Sequence, residues 1–161
     1  MTTVTTEKEI GTLQVYHESI FLKTEGALQF VDLTDLFTAL VRRSGVRNGF
    51  ANIQTRHTTT AIMVNENEPL LIEDMKKTLQ TLAPCNAFYR HDDFEMRTVN
   101  LCPAEAKNGH AHCKALFLKA SETLNVVEGT VQLGQWQRIF FIELDRPRKR
   151  TVSVVVMGQP E

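Results

Sequence analysis

Several features that would place a chain in a special class are missing from these 161 residues. No run of apolar residues approaches the roughly 18 that a membrane-spanning helix needs, so we expect no membrane span. Segment 1–10 is rich in threonine and has no apolar stretch of the kind found in secretory signals, so we expect no signal sequence. The formal net charge of −1 gives no general electrostatic reason to expect binding to nucleic acid or to an anionic membrane.

Cysteine is also scarce, and its spacing excludes some kinds of site. The three cysteines, Cys85, Cys102 and Cys113, form no CxxC pair, and an odd number argues against a disulfide framework. We therefore expect reduced thiols in a cytoplasmic protein. The chain also has no HExxH metal motif and no glycine-rich phosphate loop, so nucleotide binding in the P-loop manner is not expected.

The composition that is present is typical of a globular domain. Apolar residues make up 42% and charged residues 23% of the chain. The sequence contains no repeat, no low-complexity block and no linker rich in proline and glycine. We therefore predict one domain over 1–161, with 1–9 as a loose N-terminal tail.

Two segments have the periodicity of amphipathic helices. The stretch "DLTDLFTALVRRSG" begins at Asp32, a good N-cap, and ends at Gly45, a common helix terminator. Its apolar positions have helical spacing and are Leu33, Leu36, Phe37, Leu40 and Val41. A second helix is predicted to begin at Pro69 and to stop before Pro84, with a stripe formed by Leu71, Met75, Leu79 and Leu82.

Most of the remaining chain has the character of short strands. The predicted strands lie in segments 12–23, 49–64, 113–119, 124–127, 131–133, 138–144 and 151–157, with a turn at Glu128–Gly129. Segment 86–109 is polar and is predicted to be a long loop, and loops of that length are often functional. The expected fold class is α+β, a compact domain with a mostly antiparallel, barrel-like mixed sheet and two main helices.

Candidate chemistry lies in three polar clusters that each contain histidine: "RHTTT", "YRHDD" and "NGHAHCK". Imidazole is the commonest protein ligand for metals, and three such clusters on separate elements can converge on one cation. Spacing alone leaves the alternative that these are loop histidines engaged in ordinary hydrogen bonds. His17 lies apart from the clusters and is interpreted as structural or surface.

Two further stretches are candidates for binding a phosphorylated ligand. Thr58, Thr59 and Thr60 have hydroxyls suited to phosphate oxygens, although threonine is also common in strands. Glu66 lies between Asn65 and Asn67 and is either a general acid or base, a metal-bound carboxylate or a solvated side chain. The basic run "DRPRKR" is either a solvated hairpin turn, a counter-charge for phosphate or a contact with a neighbouring subunit.

Taken together, four motifs resemble the YjbQ family, also called the secondary thiamine-phosphate synthase family. They are "HTTTAIMVNENEP", "YRHDD", "NGHAHCKALFLKAS" and "GTVQLGQWQRIFFIELDRPRKR", and the likeness covers about 12–158. The resemblance implies a compact α+β fold, a homotrimer and a polar pocket that contains the family's histidines. Gln135 and Arg146 stand where the family usually has a small hydroxyl residue and a glycine.

The resemblance and the clusters together define the expected site. The predicted metal ligands are His57, His91 and His112, around zinc or magnesium, with His57 and Glu66 as catalytic residues. The predicted substrate-binding residues are Thr58, Thr59, Thr60, Asn65, Asn67, Asn108 and Arg148. On this account "RHTTTAIMVNENEP" is a strand whose two ends both reach the pocket.

Three functions remain open at this point. The first is thiamine-phosphate synthesis, in which a thiazole phosphate attacks a pyrimidine methyl diphosphate and pyrophosphate leaves. The second is non-catalytic binding of a phosphorylated metabolite or a metal. The third is metal-dependent hydrolysis of phosphorylated compounds. The expected partner is a small phosphorylated metabolite, with no nucleic acid and no membrane.

Overall fold

The computed structural model describes residues 12–160, so the predicted loose tail at 1–9 lies outside the described residues. This part of the chain contains eight strands, three α-helices and one short 3-10 helix, Arg90–Asp92. The strands are β1 Gln14–Lys23, β2 Gln29–Asp32, β3 Val46–Thr55, β4 Thr60–Glu66, β5 Ser121–Val127, β6 Thr130–Val131, β7 Gln137–Glu143 and β8 Lys149–Pro160. The helices are α1 Thr34–Ser44, α2 Pro69–Leu82 and α3 Gly109–Ala115.

The strands form two antiparallel sheets that confirm the predicted fold class. A five-stranded sheet has the order β1-β8-β3-β5-β6, and a three-stranded sheet has the order β2-β7-β4. A backbone hydrogen bond from Ile62 to Lys119, at 2.9 Å, connects β4 to the segment that leads into β5. Together they make a curled antiparallel half-barrel, with the main apolar core inside the curl.

Helix α1 closes the open side of this core. Phe37, Leu40 and Val41 are fully buried against the inner faces of the strands, as their spacing predicted. Leu36 is 42% exposed and so does not belong to the buried stripe. The helix ends at Gly45, whose φ of 70° is the left-handed conformation that glycine adopts without strain.

Helix α2 begins and ends where its prolines predicted, but it covers less core than its stripe suggested. Pro69 occupies the first turn, and Ala83 caps the end of the helix before Pro84. Leu79 is the buried residue of α2, whereas Leu82 is 50% exposed. The rest of the stripe lines an apolar groove of about 360 Å³ between α2 and the three-stranded sheet.

Glycine has a steric role where β3 and β8 approach each other. Gly49 faces Gly158 across the ladder, and a Cβ on Gly49 would lie 2.1 Å from the carbonyl oxygen of Met157. The predicted turn at Glu128–Gly129 is confirmed, with φ values of 52° and 73°. Two consecutive positive φ values are typical of the tight turn that joins two hairpin strands.

The prediction of a strand over 113–119 is wrong. His110 and His112 lie in helix α3, and the chain then turns before β5 begins. With seven residues the helix spans about two turns, too few for periodicity to separate it from a strand. Among the described residues, none of the three helices is long and apolar enough to cross a membrane.

Candidate functional site

A cavity of about 480 Å³ opens where the threonines before β4, the long loop and helix α3 meet the loop between β7 and β8. Five of the predicted site residues line it. They are Thr58, His91, Asn108, His112 and Arg148. The other lining residues are Arg97, Asn100, Cys102, Pro103, Ala104, Glu105 and Arg146.

The threonine run divides into one residue that faces the cavity and two that are packed beneath it. Thr59 and Thr60 are 4% and 3% exposed. The hydroxyl of Thr59 accepts a hydrogen bond from Arg150 at 3.2 Å, and the hydroxyl of Thr60 bonds that of Thr55. These hydroxyls are therefore engaged within the protein, and Thr58 is left as the threonine available to a ligand.

His57 is held against the backbone of β8. Its Nε2 accepts a hydrogen bond from the backbone N–H of Thr151 at 2.8 Å. Burial lowers the pKa of His57, and the positive charge of Arg150 lowers it further. The ring is thus neutral at pH 7 and uses Nε2 to fix the loop that presents Thr58.

A buried ion pair lies under the same loop. Arg150 donates from Nε and Nη2 to the two carboxylate oxygens of Glu143, each at 2.6 Å. The two side chains are 3% and 0% exposed. The basic run therefore has one structural member, because the two-point bond holds Arg150 inside the fold and away from any ligand.

Arg97 organises the long loop between α2 and α3. Its guanidinium donates to Glu105 Oε1 at 2.8 Å and to the backbone oxygen of Asn100 at 2.6 Å. It also donates to the backbone oxygen of His91 at 3.2 Å, and its Nη1 lies 3.1 Å from the ring Nε2 of that residue. The hydrogen bond from Arg97 holds the pKa of Glu105 below its usual value. The ion pair between Arg97 and Glu105, eight positions apart, thus holds this loop in an ordered conformation along one side of the cavity.

The cavity contains two histidines in contact. The ring centroids of His91 and His112 are 4.6 Å apart with an interplanar angle of 62°. Burial lowers the pKa of His112, and the neighbouring His91 ring lowers it further. His112 is therefore neutral at pH 7 and is able to accept a proton.

Helix α3 is positioned by its N-terminus. Asp92 Oδ1 accepts hydrogen bonds from the backbone N–H groups of Asn108 at 2.9 Å and Gly109 at 2.8 Å. A Cβ on Gly109 would lie 2.5 Å from Cβ of Tyr89, so the close approach of the loop requires glycine at that position. The helix therefore starts at a defined place, with Asn108 and His112 both at the cavity.

Asn108 has an unusual amide group. The residue is 6% exposed, and within residues 12–160 its Oδ1 is buried without a hydrogen-bond partner. A buried polar atom is normally paired, and an unpaired one costs about 1–3 kcal/mol. The side chain is thus a candidate contact for a bound molecule.

Two arginines give the cavity its positive charge. Arg148 Nη2 lies 3.2 Å and Arg146 Nη1 lies 3.4 Å from Oδ2 of Asp145. Both arginine side chains are about a third exposed, at 36% and 35%, whereas that of Asp145 is 2% exposed. One carboxylate neutralises one of the two guanidinium groups, so a charge near +1 remains to attract an anion.

The other predicted site residues lie at the far end of β4. Asn65 borders the apolar groove, and its amide nitrogen lies 3.6 Å from the sulfur of Met75. Glu66 and Asn67 line a separate cleft with Trp136. The two ends of β4 thus lead to different places in this chain. The expectation that both ends reach one pocket is corrected. The physical reason is that an extended strand of seven residues keeps its ends about 20 Å apart.

Sequence reasoning missed Arg97 and Glu105. Both lie in the weakly patterned loop, and the opposite charges eight residues apart were the available signal. No spacing rule of helices or strands connects such a pair, so the signal could be interpreted only after the fold was known.

Comparisons with known proteins agree with the motifs. Residues 18–159 match the family model described as UPF0047 protein YjbQ-like. A UPF0047 protein of Methanothermobacter thermautotrophicus is 36% identical over 148 residues, which cover 92% of this chain and 96% of the relative. The UPF0047 protein YugU of Bacillus subtilis is 32% identical over 143 residues, covering 88% of this chain and 98% of that protein.

Solved structures show the same likeness. The crystal structure of a YbjQ-like protein of unknown function from Sulfolobus solfataricus is similar with a TM-score of 0.82 and 33% identity, covering 92% of this chain and 100% of that one. A YjbQ/UPF0047 family protein from Clostridium acetobutylicum has a TM-score of 0.75 and 34% identity, covering 86% and 98%. The chain belongs to the YjbQ-like UPF0047 family.

Proposed function

We propose that the chain binds a small phosphorylated molecule in the cavity bordered by Thr58, Arg146 and Arg148. The observation that supports this most strongly is the pair of guanidinium groups that share the single carboxylate of Asp145. Arginine presents several N–H donors that suit phosphate oxygens, and both arginines retain solvent-facing surface. The hydroxyl of Thr58 and the imidazole rings of His91 and His112 add hydrogen-bonding groups around the same space.

The reaction we propose is the one that the family resemblance implies, thiamine-phosphate synthesis. Pyrophosphate leaves a pyrimidine methyl carbon, and the thiazole nitrogen of the phosphorylated partner forms the new carbon–nitrogen bond. Negative charge grows on the leaving group, and fixed cations near it lower the barrier. Arg146 and Arg148 line the cavity and are suited to that role.

A divalent cation at His57, His91 and His112 stays a prediction, and the side chains as placed do not fit it. Nε2 of His57 is used by the backbone of Thr151, and Nε2 of His91 faces the guanidinium of Arg97. Within residues 12–160 no group of three histidine, cysteine or acidic residues is arranged to hold a metal ion. The proposed reaction therefore includes no step through a metal ion.

Two alternatives use the same cavity. A hydrolase would direct water at the phosphorylated ligand, and a binding protein would hold the ligand without turnover. The proposal also includes a homotrimer, which family resemblance implies and which light scattering tests through the mass of the particle in solution.

The experiment that tests the proposal combines binding with product analysis. Calorimetric titration with inorganic pyrophosphate measures affinity, and phosphorus NMR follows a mixture of the pyrimidine diphosphate and the thiazole phosphate. A synthase releases pyrophosphate only when both substrates are present, a hydrolase releases phosphate from either alone, and a binding protein leaves both intact. Absence of pyrophosphate binding would overturn the proposal.

A matched pair of variants assigns the binding to the cavity. Arg148→Gln removes a positive charge that lines the cavity, whereas Lys149→Gln removes the same charge from the next, exposed residue. We expect affinity for pyrophosphate to fall about tenfold in Arg148→Gln and to change little in Lys149→Gln, since loss of one charge-assisted contact is of this size. Equal losses in both would show a general effect of net charge.

A further inference from the structure

We infer that the cleft at the C-terminal end of β4 binds a small organic cation, held between the carboxylate of Glu66 and the indole of Trp136. The inference goes beyond the proposed function, because this cleft of about 400 Å³ is separate from the cavity that the phosphorylated ligand would occupy. The ligand class is an alkylated ammonium. The residues that line the cleft are Glu66, Asn67, Glu68, Gln135, Trp136 and Arg138.

Among the described residues, Glu66 differs from the other charged residues that line the cleft because its carboxylate has no hydrogen bond and no ion pair. Both carboxylate oxygens of Glu68 accept hydrogen bonds from backbone N–H groups in the first turn of α2, at 2.9 Å and 2.7 Å. The guanidinium of Arg138 donates to Asp32 at 2.8 Å and to Asp35 at 3.1 Å. The cleft therefore has an uncompensated and partly exposed negative charge at Glu66, which attracts a cation.

Trp136 presents a large apolar surface to the same cleft. The residue is 65% exposed, and in the part of the chain that the structure describes its indole makes no aromatic stacking and no cation–π contact. The face of an indole carries partial negative charge and attracts a cation that lies within about 6 Å of the ring. This apolar face also favours a weakly hydrated cation with alkyl groups over a compact ammonium, which is strongly hydrated.

The carboxylate and the indole are brought together by the pairing of β4 with β7. Glu66 lies opposite Gln137 in this ladder, and Trp136 immediately precedes Gln137. The turn before β7 is closed by two hydrogen bonds, from the N–H of Gly134 to Oε1 of Gln137 at 2.8 Å and from the N–H of Gln137 to the oxygen of Gly134 at 3.0 Å. On the other strand the N–H of Glu66 donates to Oδ1 of Asn65 at 2.8 Å. The backbone of both residues is thus ordered before a ligand binds, which lowers the entropic cost of binding.

The test compares two molecules of nearly the same shape that differ in charge. Choline has a quaternary nitrogen where the neutral 3,3-dimethyl-1-butanol has a carbon. Because the chain has a single tryptophan, the indole N–H signal in nitrogen–proton correlation NMR reports on this cleft. At constant ionic strength we expect choline to shift that signal saturably and to bind about fivefold more tightly than the alcohol, the combined effect of one cation–π contact and one exposed ion pair. Equal affinities, or no saturable shift with choline, would overturn the inference.

A matched pair of variants assigns the preference to Glu66. Glu66→Gln keeps the size of the side chain without its charge, and we expect most of the preference for choline over the alcohol to be lost. Glu25→Gln removes the same charge from an exposed position in the loop between β1 and β2, and we expect the preference to be unchanged. An unchanged preference in Glu66→Gln, or equal reductions in the two variants, would contradict the assignment.

The contribution of the indole is tested separately. Trp136→Leu keeps an apolar side chain without the π face, and we expect the affinity for choline, measured by calorimetry, to fall about threefold while the affinity for the alcohol changes less. Equal losses for the two molecules would overturn the cation–π contact. Quenching of the tryptophan emission by acrylamide establishes whether the indole is open to solvent in the protein as it exists in solution, and an indole protected from acrylamide would overturn the inference.

Discussion

The two ends of β4 carry similar kinds of residue and differ in what those residues contact. At the threonine end, residues 56–60, the chain borders a cavity where Asn108 has an unpaired acceptor and Arg148 faces solvent. At the asparagine end, residues 65–67, Asn67 donates to Asp32 at 2.9 Å and Arg138 donates to the same carboxylate oxygen at 2.8 Å.

The difference shows which polar groups are available for binding. At the asparagine end the carboxylate, amide and guanidinium groups satisfy one another, and this mutual bonding connects β4 and β7 to the start of α1. At the threonine end the hydroxyls of Thr59 and Thr60 are also hydrogen-bonded within the protein. The residues around the cavity, however, include buried acceptors without a hydrogen bond and partly exposed arginines. Abundance of polar residues is thus a weaker sign of a site than incomplete pairing.

The largest effect is expected from the buried ion pair under the threonine end. Arg150→Met leaves the carboxylate of Glu143 buried and uncompensated, which we expect to lower the free energy of unfolding by about 3–5 kcal/mol. Urea denaturation followed by circular dichroism measures the loss. Arg43→Met is the control, because Arg43 pairs with Glu18 at the exposed surface, where solvent and salt screen the interaction and little stability is lost with it. Equal losses in the two variants would contradict the account.

The next effect tests the close approach that positions α3. Gly109→Ala places a methyl group against Tyr89, and we expect a loss of about 1–3 kcal/mol from overpacking. Phosphate affinity should fall in the same variant because Asn108 shifts with the helix. Gly26→Ala is the matched control, since no atom lies within 4 Å of the added methyl group. An unchanged denaturation midpoint in Gly109→Ala would show that the loop around Tyr89 accommodates the methyl group without loss of stability.

A smaller effect is expected at the asparagine end. Arg138→Met removes the bonds to Asp32 and Asp35, and because the arginine side chain is 36% exposed we expect a loss of about 1 kcal/mol or less. Pyrophosphate affinity should stay at the wild-type value. A marked fall in affinity, measured by calorimetry, would mean that the asparagine end takes part in binding.

The smallest effect is on the pH dependence of stability, which is expected to differ between the two ends of β4. The pKa values of His57, His110 and His112 are lowered, first by burial, so the unfolded chain binds more protons near and below pH 6.5. Their contribution to stability is complete above the unfolded value and is lost as pH falls through the folded values. Burial opposes the lowering of the pKa of Asp32, but hydrogen bonds from Thr34 and Arg138 outweigh it.

The stability that the Asp32 carboxylate contributes is consequently lost only at more acidic pH, around and below about 4. Denaturation midpoints measured between pH 8 and pH 3 should fall in two stages. The first limb is the histidine contribution, and the second, at lower pH, is the carboxyl contribution. His57→Gln is expected to flatten the first limb, and Asp32→Asn the second. A first limb with the same slope in His57→Gln would remove His57 from the account.

Much of the fold was predictable because its signals are local. The spacing of Phe37, Leu40 and Val41 places α1, and Pro69 and Pro84 bracket α2. Helix α3 was missed because it is short and its cap comes from Asp92, which lies 17 positions before Gly109. Local periodicity has no access to a partner at that distance.

The site was predictable in part for the same reason. Thr58, His91, Asn108, His112 and Arg148 were named from their polar clusters, and the fold brings them to one cavity. Glu66 and Asn67 were placed with them on motif order alone, whereas the length of β4 carries them to another cleft. Sequence shows which residues are chemically able to bind, and the strand length decides which of them meet.

The central claim is that a phosphate group binds at the threonine end of β4. Nitrogen–proton correlation NMR with inorganic phosphate as the titrant tests it most directly, because the single tryptophan, Trp136, supplies an indole N–H signal in the cleft at the asparagine end. The account predicts that the backbone signals of Thr58, Asn108 and His112 shift in a saturable manner while the indole signal of Trp136 stays in place. A saturable shift of the Trp136 indole, with the signals around the cavity unmoved, would contradict it.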